Sequence, residues 1–154
     1  MGAALAFVVA SQALAASTPG SVTFADDQYG VSGAPGPGHT FDVVAAGTST
    51  ATGAINGTFD VVDEAVITGL GELHVDRVLD DGAGNTVTID IEARFVASTA
   101  TTETVLGHWN ITGGTGSYLD VQGSGTYSAT VYFTVAPHHI VGTLTGFAVY
   151  GAGS

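Results

Sequence analysis

The ionisable side chains best suited to chemistry are gathered in one stretch: Glu72, His74 and Asp76, followed by Asp90, Glu92 and Arg94. Alternate residues of a β-strand share a face, so each trio lies on one side of its own strand. Between them Asp80-Asp81-Gly82-Ala83-Gly84-Asn85 supplies a turn, which makes residues 70–79 and 86–96 a hairpin. If it closes symmetrically about residues 82–84, Glu72 faces Arg94, His74 faces Glu92 and Asp76 faces Asp90. A histidine beside a carboxylate is the arrangement of a general base, and an arginine next to it can hold an anion or an enolate. Glu72, His74, Glu92 and Arg94 are therefore the candidate pocket residues, on condition that their face looks into a cavity. On a solvated outer face the same groups are only cross-strand pairs, each contributing a few tenths of a kcal/mol. The opposite parity of the second strand, Val87, Ile89, Ile91, Ala93 and Phe95, competes for the interior more strongly.

Other chemistries find less support. The chain has no cysteine, which excludes thiolate catalysis, zinc–thiolate sites and a disulfide framework together. His138 and His139 follow Pro137, and neighbours in a strand point to opposite faces, so a rim loop suits them better than a shared metal. His39 sits by a Pro-Gly loop and His108 alternates with Trp109, without the His-x-His spacing of a metal site. Asp80-Asp81-Gly82 and Asp63-Glu64 read as solvated acidic turns lacking a calcium-loop pattern. Ser124, in Gly-Ser-Gly, has no nucleophile-elbow context. No metal and no cofactor is expected.

The elements that must position these residues are strands. Across 154 residues there are 23 glycines and abundant Thr, Val and Ala, and alternation rather than helical period runs through the chain. Candidate strands cover 41–46, 50–56, 57–62, 65–78, 86–97, 104–112, 125–135 and 140–150. Neighbouring antiparallel strands form a meander, and about eight of them tend to close into a barrel that removes its edges. The expectation is all-β: a single antiparallel β-barrel at 40–154, preceded by a Pro/Gly-rich segment at 16–39 that holds three of the four prolines. Recurrent Gly-Thr pairs serve as kinks that let strands coil. Tyr127, Ala129, Val131, Phe133 and Val135 share a parity and are expected inside, with Trp109 or Ile111 beside them.

Residues 2–10 form an apolar run leading to Ala13-Leu14-Ala15, which reads as the remnant of a signal peptide at 1–15 and points to a secreted, extracellular protein. The run is too short to span a bilayer, which takes about 20 apolar residues. Fourteen acidic residues against two basic ones give a net charge of −12, a surface that repels the phosphates of nucleic acid.

Ile111-Thr-Gly-Gly-Thr-Gly-Ser-Tyr118, followed by Gly123-Ser-Gly-Thr-Tyr127, resembles the Gly-Gly-Thr-Gly-x-aromatic segment of allene oxide cyclase and dirigent proteins, and of exported bacterial proteins of that calycin-like barrel superfamily. The resemblance implies an antiparallel barrel with a central cavity, sometimes trimeric, where cyclisation or stereocontrolled coupling proceeds without metal or cofactor. No catalytic residue carries over, because that family's acidic, arginine and tyrosine groups lie on other strands. Gly113, Gly114 and Gly116 are expected to form a strand-end turn with at least one positive φ. A phosphate loop is excluded by the missing helix and lysine. Three functions stay open: a secreted barrel binding a small apolar molecule inside, a cofactor-free cyclase or isomerase, and a structural protein with a filled barrel.

Overall fold

The computed structural model describes residues 18–151 except 37 and 39. The signal-like segment and His39 lie outside the described residues. Eight strands follow one another: β1 (Gly20–Pro35), β2 (Phe41–Gly53), β3 (Gly57–Ile67), β4 (Glu72–Asp80), β5 (Thr86–Ser98), β6 (Thr102–Gly114), β7 (Val121–Tyr132) and β8 (His138–Tyr150). Each pairs antiparallel with the next, and β8 pairs with β1 to close the barrel. The all-β meander barrel expected from the alternation is therefore the fold. No helix among the described residues is long and apolar enough to cross a membrane.

The strand boundaries depart from expectation in five places. The Pro/Gly-rich segment 16–39 contains a full barrel strand, β1. Its inward positions run Val22, Phe24, Asp26, Gln28 and Gly30, and two polar residues and a glycine hide the apolar alternation. The expected pair 41–46 and 50–56 is a single strand, β2. Gly47, between the two expected segments, permits a close approach: a Cβ there would lie 2.0 Å from the Asp27 carbonyl oxygen. Residues 65–78 are instead divided by a turn in which Gly71 takes φ 79°. Asp63 is no turn residue, since it lies inside β3 with its side chain buried. Phe133 falls just past the end of β7 and is half-buried, although its inward parity is as expected.

One end of the barrel, carrying the β2–β3, β4–β5 and β6–β7 connections, is plugged. Phe59 packs on Tyr118, with ring centroids 5.8 Å apart, and Ile55 is fully buried in the β2–β3 turn. Above them Trp109 meets Phe24 edge-on at 5.9 Å, and its indole N–H donates to the Thr145 carbonyl at 3.2 Å. Room for that indole comes from its neighbours along the barrel wall. Trp109 pairs with Gly125, which pairs in turn with Gly146, so two successive inward positions carry no side chain.

The glycine turn fastens this lower end. Gly116 sits at φ 59°, as the glycine clustering predicts, and a Cβ on it would meet Asn85 Oδ1 at 2.0 Å. The Thr115 amide donates to the Thr86 carbonyl at 2.9 Å, and the Ser117 amide to Asn85 Oδ1 at 2.9 Å. The motif thus ties the β6–β7 connection to the β4–β5 turn, where Asp81 accepts from the Ala83 amide and the Asn85 side chain.

Candidate functional site

The β4–β5 hairpin has the register read from its turn: Glu72 pairs with Arg94, His74 with Glu92 and Asp76 with Asp90. Val75 and Leu79, with Val87, Ile89 and Ile91, take the buried side, which turns the ionisable face outward. His74 Nδ1 lies 2.5 Å from Glu92 Oε1, while its Nε2 stands 3.4 Å from Asp90 and 3.5 Å from Asp76. One ligand atom from each of His74, Asp76 and Asp90 fits within 4.8 Å, close enough to share a cation, although acidic surfaces often group in this way without one. Glu72, Glu92 and Arg94 stand in the wall of an open outer groove of about 700 Å³, together with Leu106 and His108. None of the four candidate pocket residues lines the barrel interior.

This outer cluster has a measurable consequence. The hydrogen bond to Glu92 raises the His74 pKa above its ordinary value, helped by the charges of Asp90, Glu92 and Asp76 and opposed by partial desolvation. A raised folded-state pKa means that the pairing stabilises the fold fully below the ordinary histidine pKa of about 6.5, and that this contribution fades as pH rises through the raised value. An NMR titration should place the His74 midpoint lower in Glu92→Gln than in the wild type. Equal midpoints would show that the Glu92 contact is not formed in solution.

Inside the barrel, the end opposite the plug is hollow. A cavity of about 170 Å³ is walled by Val43, Ala65, Ile67, Leu73, Val75, Phe95, Val105, Val131 and Ile140, with Phe133 and His138 at the rim. These residues come from the ends of seven strands and from the β7–β8 connection, so closure of the barrel creates the site. Polar side chains enter it at few points: Asp63 and Tyr127, along with Ser32, Glu103 and His138. Apolar walls with a few convergent polar groups are the usual make-up of a small-molecule site.

Between cavity and plug lies a buried ionic layer. Arg77 donates from Nε and Nη2 to the two oxygens of Asp63, both at 2.7 Å, and from Nη1 to Asp26 Oδ2 at 2.5 Å. The guanidinium carbon stands 5.8 Å from the centre of the Tyr127 ring. Burial raises the Asp26 pKa, against the pull of Arg77 and a smaller contribution from Ser49, directly opposite on β2. The Ser49 hydroxyl sits beside that carboxyl, although neither it nor Asp26 Oδ1 closes a hydrogen bond of normal geometry among the described residues. Both polar atoms of the fully buried Gln28 side chain are also without protein partners among the described residues. Burial by itself would lower the Arg77 pKa, but the Asp63 and Asp26 carboxylates outweigh it and hold the guanidinium charged. Burial pushes the Tyr127 phenol up to about 12, so it stays protonated at neutral pH.

This layer is not among the residues that local spacing in the sequence singles out. Arg77 shares the inward parity of Leu73, Val75 and Leu79; Asp63 shares that of Phe59 and Val61; Asp26 shares that of Val22 and Phe24. A charged residue on the apolar parity of three strands was the available signal, and the direct pairing of Asp63 with Arg77 across β3–β4 completes it. His138 and His139 open β8 and diverge as adjacent strand residues must. His138 reaches the cavity rim, while His139 stacks on Tyr29 outside at 4.8 Å and bonds Asp27 at 2.7 Å.

Comparison with known proteins finds no family model, no curated protein and no solved structure that matches the chain.

Proposed function

We propose that the protein is a secreted binding barrel that takes a small apolar molecule into the cavity at its open end. The observation carrying this reading is the cavity itself, about 170 Å³ with mostly aliphatic and aromatic walls above a sealed lower half. A dry cavity of roughly 150 Å³ is known to hold benzene, so the ligand's apolar part is about one ring in size. The apolar run at 2–10 and the Ala-x-Ala at 13–15 support export. The closed eight-strand barrel and the turn ending at Tyr118 support kinship with exported members of the allene oxide cyclase/dirigent-like superfamily.

The cyclase or isomerase alternative has weaker footing. His74 and Arg94 face outward, Asp63 is held by Arg77, and Tyr127 stays protonated, which leaves the cavity floor without a free base. A fully packed structural barrel would have no such cavity.

The test fills the space. Ala65 lines the cavity and is only partly buried, so Ala65→Leu should occupy the void with little cost to folding. Titration calorimetry should show 2-phenylethanol binding to the wild type and losing at least about tenfold in affinity in Ala65→Leu, as expected when a ligand must compete with a side chain for its pocket. Equal binding by the two proteins would move the site elsewhere.

A further inference from the structure

Resting on that reading, we propose that the cavity selects ligands carrying a protonated amine and rejects those carrying a carboxylate. The chain has two Lys/Arg side chains, and neither is offered to a ligand in the cavity. Arg77 is buried beneath it with its Nε, Nη1 and Nη2 already donating to Asp63 and Asp26, and Arg94 lies on the outer face in the wall of the external groove. His138, at the rim, lies with Nδ1 3.0 Å from the Val135 carbonyl, so that nitrogen is directed at the protein's own backbone. A carboxylate entering the cavity would therefore lose water and meet no free arginine or lysine among the described residues, a combination that costs affinity.

One anionic group, in contrast, is available. Glu103, the second residue of β6, stands at the cavity rim and makes no salt bridge among the described residues, whereas Asp63 at the floor is already held by Arg77. The protein's charge of −12 adds a field of the same sign. A ligand with one ring packed against Val75, Val105 and Phe95 would place a short-chain ammonium within reach of the rim, where Glu103 supplies the counter-charge. The ligand class is a small aromatic or aliphatic primary amine.

Three molecules of similar size separate the possibilities: 2-phenylethylamine, 2-phenylethanol and phenylacetate, each titrated calorimetrically into the full chain at low salt. The expected order is amine, then alcohol, then acid, with amine and acid at least about tenfold apart, as charge complementarity at a partly desolvated site gives. In Glu103→Gln the preference for amine over alcohol should shrink towards unity, and in the wild type it should weaken with added salt. Phenylacetate binding as tightly as the amine, or an unchanged preference in Glu103→Gln, overturns the selectivity while leaving the binding reading intact. If none of the three binds, the binding reading falls and the selectivity falls with it.

Discussion

Arg77→Met should lower the stability of the barrel by about 3–5 kcal/mol, the usual result of removing one partner from a buried ionic group. The substitution leaves Asp63 and Asp26 facing each other's layer with no cation, on side chains that are almost wholly buried. Methionine fills much of the same volume, so the loss reports charge rather than packing. Asp26→Asn is the informative contrast, because it keeps the two-pronged Arg77–Asp63 contact and removes the carboxyl whose pKa burial raises. It should cost less than half as much. The sign of its pH dependence follows: with a raised folded-state pKa, the Asp26 contribution is present below the ordinary carboxylate range and is lost as pH climbs through the raised value, and Asp26→Asn should abolish that part of the profile. Urea unfolding at several pH values measures both effects. A loss under about 1 kcal/mol for Arg77→Met, the size of an exposed pair, would show that the layer is hydrated.

Trp109→Ala should cost a comparable amount, about 3–5 kcal/mol, as large aromatic truncations in cores do. The indole is fully buried, meets Phe24 edge-on and occupies the space left by Gly125 and Gly146. Those glycines cannot be filled in compensation, since a Cβ at Gly125 would lie 1.9 Å from the Thr145 carbonyl oxygen. The wall around Trp109 therefore has little freedom to collapse into the void. Chemical denaturation reads the loss, and a value below about 1.5 kcal/mol, typical of tolerated swaps, would mean that the plug repacks.

How much of this was legible depended on the purity of each strand's alternation. The β4–β5 hairpin alternates cleanly about an Asp/Gly turn, so its register, the pairing of His74 with Glu92 and the inward side of Ile89 and Ile91 could all be read from the residues. β1 could not, because Asp26, Gln28 and Gly30 occupy inward positions that a hydrophobic pattern would fill with aliphatics. The same cause concealed the ionic layer. Arg77, Asp63 and Asp26 are polar groups on apolar parities, and in sequence Arg77 and Asp26 lie 51 residues apart. Conversely, Glu72, His74, Glu92 and Arg94 drew attention because they cluster along the chain, which is also what a solvated strand face does. Local spacing shows which residues share a face; which face is the inside is settled by what the other strands need to bury.

The central claim, a ligand site inside the open end of the barrel, is tested most directly by crystals soaked with 2-(4-bromophenyl)ethanol and measured at the bromine edge. An anomalous peak among Ala65, Val75, Phe95 and Val105 is the predicted result. A peak confined to the outer groove by Leu106 and His108, or no peak in the cavity, would contradict the account.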